Sequence, residues 1–103
     1  MSGVRVIAAM LQPVEAETPY GGRAVSYEPL GTVWLAPGLE RRRERSETGA
    51  ARILEAMTAE ARSDPRLAEG RVLRFGGADW SIVALQADPE RPGRTVLSLE
   101  RER

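Results

Sequence analysis

The last third of the chain constrains its fold more than any other feature, because three extended runs there are separated by unmistakable turn chemistry. RVLRF (71–75), DWSIVALQ (79–86) and RTVLSLERE (94–102) are parted by GGA and by ADPERPG, which holds two prolines and a glycine. Short runs rich in β-branched and aromatic residues, bounded by such clusters, predict strands. Gly76-Gly77 is a hairpin signal, since the favoured two-residue turns need residues that accept positive φ. Val72, Leu73, Phe75, Trp80, Ile82, Val83 and Leu85 give this region the densest apolar and aromatic content in the chain. In the final run Val96, Leu97 and Leu99 are mixed with Thr95, Ser98 and Glu100, which predicts one solvated side.

The first half reads in the same way. VRVIAAMLQPV (4–14) is of strand length and largely apolar on both faces, and Pro13 suits its end because proline cannot donate a ladder bond. ETPYGGRA (17–24) is a turn, and RAVSYEPL and GTVWLAP are two short extended runs broken at Pro29 and Gly31. Residues 50–62, AARILEAMTAEAR, pull two ways. Ala50, Ile53, Leu54, Met57 and Ala61 match the spacing of a helix face, and the residue types are strong helix formers. As a strand, Ala51, Ile53, Met57, Ala59 and Ala61 share one face, interrupted by Glu55. Read locally, the helix wins. A chain of 103 residues supports one domain with a modest core. Several short strands with turns between them predict a small barrel or sandwich.

Composition removes several chemistries. The chain has fifteen basic and fifteen acidic residues, no cysteine and no histidine. The absences take away disulfides, thiolate nucleophiles, the usual zinc ligands and the usual general base near neutral pH. No metal or cofactor is expected. Net neutrality disfavours general nucleic-acid binding, which depends on neutralising phosphates. No apolar run approaches the roughly 20 residues of a spanning helix, and the N-terminal stretch does not read as a secretory signal. The expectation is an intracellular product without a membrane anchor. Asp79 beside Trp80 could be a carboxylate in an apolar pocket, but a turn residue opening a strand is the favoured reading. The serines have no histidine to activate them, and neither glycine pair sits in a dinucleotide-loop context. Trp34, Phe75 and Trp80 are read as core or subunit-contact aromatics rather than stacking platforms for single-stranded nucleic acid.

The stretch GLERRRERSETGAAR (38–52) is the most unusual in composition. Arg41, Arg42, Arg43 and Arg45 stand among Glu40, Glu44 and Glu47, four charges against three. A solvated, partly self-paired segment is the default for such a mixture.

Taken in order, these features resemble the head–tail adaptor or head-closure (stopper) proteins of tailed bacteriophages and their relatives in gene transfer agents. The resemblance runs from about Leu11 to Arg103. TPYGGRAVSYEPLGTVWLAP is similar to the family's glycine turn, variable strand and tryptophan-bearing strand. DPRLAEGRVLRFGGADWSIVAL is similar to its charged residue, strand, Gly-rich turn, aromatic and isoleucine; a loop with Pro89 and Pro92 and the strand RTVLSLERE follow. Two departures stand out: Leu35 separates Trp34 from Ala36, and LEAMTAEAR replaces the family's β-branched middle strand.

The resemblance implies a mainly β fold, a small barrel of about six strands over residues 1–103. A long polar loop, or a short helix, follows the tryptophan strand, and residues 51–61 become extended. It implies a non-enzymatic virion protein at the neck of a phage-like particle, assembled in the bacterial cytoplasm. Six or twelve copies would form a ring. A portal-bound adaptor would lie above it, a tail terminator or tail tube below, and packaged double-stranded DNA in the channel. Residues 37–50 become the candidate gate, with Arg41, Arg42, Arg43 and Arg45 near DNA and Glu40, Glu44 and Glu47 pairing between subunits. The alternatives are a tail terminator or another connector subunit, and a small single-stranded nucleic-acid-binding barrel. An enzyme or regulatory domain would need a pocket of convergent polar groups that the sequence does not indicate.

Overall fold

The alternating runs become six antiparallel strands in a computed structural model, which describes residues 4–47 and 50–102, with the backbone alone over 39–52. The strands are β1 (Val6–Glu17), β2 (Arg23–Glu47), β3 (Ala50–Arg62), β4 (Val72–Phe75), β5 (Ala78–Ala87) and β6 (Arg94–Glu102). They hydrogen-bond in the order β1-β2-β3-β6-β5-β4, and β4 pairs back onto β1 through Ala9–Arg74, Met10–Leu73 and Leu11–Val72. The sheet therefore closes on itself. Closure removes the free edges that a six-stranded sheet would otherwise expose.

Inward positions on every strand fill the interior. Met10, Leu35, Leu73, Ile82, Leu97 and Leu99 are fully buried, and Trp80 is nearly so. Ala8, Ala59 and Ala61 supply the small side chains among them. A barrel this narrow has no room for large residues on every strand, so large and small must alternate. Leu67, on the connection between β3 and β4, is also buried in this cluster. Each large aliphatic side chain removed from water contributes about 1.5–3 kcal/mol.

Between β4 and β5 the chain reverses through Gly76 and Gly77, at φ of 60° and 75°, with Phe75 paired to Ala78. Two successive positive φ values in a two-residue hairpin are the reason for the glycine pair. The segment 50–62, helical by local propensity, is strand β3. Its ladder to β6 puts Met57, Ala59 and Ala61 opposite Leu99, Leu97 and Thr95, where a helix would leave the edge of β6 away from β5 unpaired. Tertiary pairing overrides propensity here.

β2 is the longest element. Its 25 residues would span roughly 80 Å if straight, yet the longest dimension of the molecule is 51 Å. It bends at two register shifts, one near Leu30 opposite Met10 and Leu11, the other between Pro37 and Glu40. Prolines 29 and 37 stand at these irregularities, where a missing N–H costs least. Up to Leu35, β2 pairs with β1; from Leu35 onward it pairs with β3. Both hairpins outrun the barrel. The β1–β2 ladder continues from Gln12–Glu28 to Glu17–Arg23 after β4 has ended at Val72. The β2–β3 ladder continues to Glu47–Ala50 past the last β6 pair, Leu54–Glu102.

Candidate functional site

The arginine-rich segment is neither a loop nor a helix through Glu47. It is the outer half of β2, hydrogen-bonded to β3 in a projecting arm. Thr48 and Gly49, within the expected gate loop 37–50, lie outside the described residues. At the root of the arm, β2 and β3 come close together. A Cβ added at Gly38 would lie 3.0 Å from the carbonyl oxygen of Thr58 and 2.6 Å from its hydroxyl, so only glycine fits at the bend.

The ladder separates the charges that the sequence interleaves. Arg41, Arg43 and Arg45 pair with Ala56, Leu54 and Arg52, and Glu47 pairs with Ala50. Glu40, Arg42 and Glu44 pair with Met57, Glu55 and Ile53. Successive residues of a strand occupy opposite faces. Arg41, Arg43, Arg45 and Glu47 therefore hold one set of alternating register positions on β2, and Glu40, Arg42 and Glu44 the other. The second set pairs with Met57, Glu55 and Ile53 of β3, positions that lead through Met57 to the buried Ala59. The near-zero sum along the segment thus resolves into two sets of register positions, one mostly arginine and one mostly glutamate. Side-chain pairing by Glu40, Glu44 and Glu47 lies outside the described residues.

The arm is anchored by an ion pair that the sequence reading missed. Glu55, the residue interrupting the apolar face of β3, is 2% exposed and stands directly across the ladder from Arg101. Arg101 donates to Glu55 Oε2 from Nε at 3.1 Å and Nη2 at 2.8 Å. Its guanidinium lies 4.9 Å from the centroid of the Trp80 ring, and Trp80 stacks on Phe75 with centroids 6.2 Å apart. A carboxylate on an inward face requires a cation in reach, so the interruption in the alternation was itself the signal.

The three aromatics of interest diverge. Trp80 is in the core, Phe75 is partly buried against it, and Trp34 is 60% exposed on the outer wall. Trp34 sits directly across from the exposed Ile7 and lines a groove of about 390 Å³. Arg5, Arg62, Arg66 and Arg94 border this groove, with Glu60 and Asp64. Arg66 is its structural element. It donates to Asp64 Oδ2 at 2.8 Å and to the carbonyl of Leu30 at 3.0 Å, clamping the first bend of β2. Gly31 sits at that bend with φ of 121°, and a Cβ there would run into the guanidinium. Hydrogen bonds from the Arg66 side chain and backbone bring the Asp64 carboxyl down to about 2.

Asp79 is not a carboxylate raised by an apolar pocket. Arg74, directly across the β4–β5 hairpin, donates to it at 2.7 Å and 3.1 Å and holds its pKa below the ordinary value. It is the second residue of β5 and lies in the ladder rather than in the turn, which Gly76 and Gly77 form.

No protein-family model matches the chain. No curated protein matches it by sequence either. Among solved structures it matches a chain of one described as "Virion of native gene transfer agent (GTA) particle", with a TM-score of 0.69 and 19% identity. The alignment covers 94% of this chain and 93% of that one. At this identity the likeness is one of fold: the whole closed sheet has a counterpart of nearly equal length.

Proposed function

We propose that this chain is a structural subunit of a phage-like particle, forming a ring at the head–tail interface that closes the DNA-filled head and docks the tail. The observation that carries the reading is the end-to-end likeness of fold to a chain of a gene transfer agent virion. The fold itself suits the role. A small closed barrel is rigid, and one long strand carries two hairpin arms out of it in regions where no neighbour strand covers them.

The charge-segregated arm is the candidate channel element. A ring repeats each arm around an axis, so a face bearing Arg41, Arg43, Arg45 and Arg52 becomes a cationic belt suited to phosphates of any sequence. Arg42 alternates with these and shares its set of register positions with Glu40 and Glu44. Among the four expected arginines, three share one role and Arg42 has another.

Deleting the gene for this chain from a particle-producing strain is expected to leave DNA-filled heads that leak or lack tails. Replacing Arg41, Arg43 and Arg45 by Ser is expected to reproduce the leak with the barrel folded, while Arg42→Ser alone retains DNA. DNA protected from nuclease in purified particles is the readout. Normal, tailed, infective particles after deletion would contradict the function; equal effects of the two arginine sets would contradict the arm assignment.

A further inference from the structure

The two features of the outer surface that the barrel leaves unused are complementary. Tyr20, at the tip of the β1–β2 arm, is 97% exposed. The tip is pinned by Thr18, whose backbone N–H donates to the Gly22 carbonyl at 2.8 Å and whose hydroxyl accepts from the Gly22 N–H at 3.0 Å. This arm carries Glu15, Glu17 and Glu28 against Arg23, a net charge of −2. Arg23 is engaged by Glu15 at 3.1 Å, while Glu17 has no cationic partner among the described residues. The groove around Trp34 is the reverse, with four arginines against two carboxylates, a net +2. Glu60 is held by Arg91 at 3.2 Å and Asp64 by Arg66, so Arg5 and Arg62 are left without a carboxylate among the described residues.

The arm cannot reach its own groove. From the Ile7–Trp34 pair to the Glu17–Arg23 pair the ladder runs ten residues outward, roughly 33 Å at strand rise. We infer that the Trp34 groove receives the β1–β2 arm of a second copy of this chain, Tyr20 against Trp34 and Ile7, and Glu17 toward Arg5 and Arg62. An aromatic packed in an aromatic-walled groove with charges at its rim is the usual anatomy of a contact hot spot. Because the two surfaces differ, the contact is head-to-tail and can be repeated from copy to copy into a closed ring. This inference rests on the ring proposed above and names its interface.

The chain has no cysteine, so a designed pair reports on one contact only. In this protein, Pro19→Cys with Ala36→Cys, which keeps Tyr20 in place, is expected to give a ladder of disulfide-linked oligomers on mild oxidation, where either substitution alone stops at dimer. Adding Glu17→Arg should slow the ladder about tenfold, as expected for a rim charge beside a hot spot. Adding Arg62→Glu to that variant should restore it. An absent ladder with the protein folded by circular dichroism overturns the contact, as does a ladder indifferent to both charge changes. Suppression of the ladder by a single-stranded oligonucleotide that quenches Trp34 fluorescence overturns it too, by making the groove a nucleic-acid site. Cross-linking in purified particles separates the two readings. Wild-type protein present in particles, with no cross-link from the cysteine pair, overturns this contact and leaves the virion role. A ladder in solution with the protein missing from particles supports the contact and overturns the role.

Discussion

Glu55 shows how one residue can appear as an error in a pattern and be an anchor in the fold. On an inward face, a carboxylate must either lose its charge or meet a cation, and Arg101 stands opposite it on β6. Truncating one partner leaves the other uncompensated beside Trp80, so Glu55→Ala is expected to cost about 3 kcal/mol, measured by urea unfolding. Replacing both partners together, Glu55→Leu with Arg101→Leu, should come within about 1 kcal/mol of the native protein, because the desolvation of both charges disappears. A double variant as unstable as the single one would mean that the ion pair does more than satisfy itself. Asp64 gives a prediction in pH. Its pKa falls from 3.8 in the ordinary state to about 2 in the fold, through hydrogen bonds from Arg66. A depressed carboxylate stabilises the fold above its unfolded pKa and ceases to do so as pH drops through its folded one. The native protein should therefore lose more of its urea midpoint between pH 4 and pH 2 than Asp64→Asn does. Parallel loss in the two proteins would show that the Arg66 clamp carries no linked proton.

Strand β3 and the outer half of β2 show where the elements were legible and where they were not. β5 and β6 were readable because each buries one face, so the alternation of apolar and polar residues records the barrel wall, and β4 because its buried Val72 and Leu73 run directly into the glycine turn. The glycine pair at 76–77 was readable for the same local reasons, whereas the two runs expected on either side of Pro29 and Gly31 are one continuous strand, β2. Residues 40–47 looked like a loop because their arm extends along and beyond the barrel, where apolar alternation fades and charge alternation replaces it. β3 looked helical because its small, inward alanines are also the best helix formers. The prolines at 29 and 37 read as breaks, whereas the ladder absorbs them at bends. Arg66 gave no signal at all, since its contacts to Leu30 and Thr32 cross more than thirty positions of sequence. A synthetic peptide of residues 48–62 is expected to be helical by circular dichroism in trifluoroethanol and unstructured in water. Extended structure of the isolated peptide in both solvents would show that the strand is intrinsic to it rather than imposed by β2 and β6.

At the scale of the molecule, one strand organises everything proposed here. β2 forms part of the barrel wall, turns its exposed Trp34 outward, and reaches into both arms, one tipped by Tyr20 and one holding the alternating arginines and glutamates. The molecule is 51 Å along its longest axis and 24 Å along its shortest, a shape in which arms can span from one subunit to the next while the barrels stay apart. In that arrangement the charge on the β2–β3 arm has meaning only when copies are repeated around an axis, since each chain alone is neutral. The most direct measurement is a cryo-electron microscopy reconstruction of the particle neck, made without imposing symmetry on the map. The account predicts a ring of six-stranded barrels between portal and tail, with Arg41, Arg43 and Arg45 turned to the channel and each β1–β2 arm seated on the neighbour's Trp34. A neck lacking these barrels, in a particle whose head is closed and whose tail is attached, would contradict it.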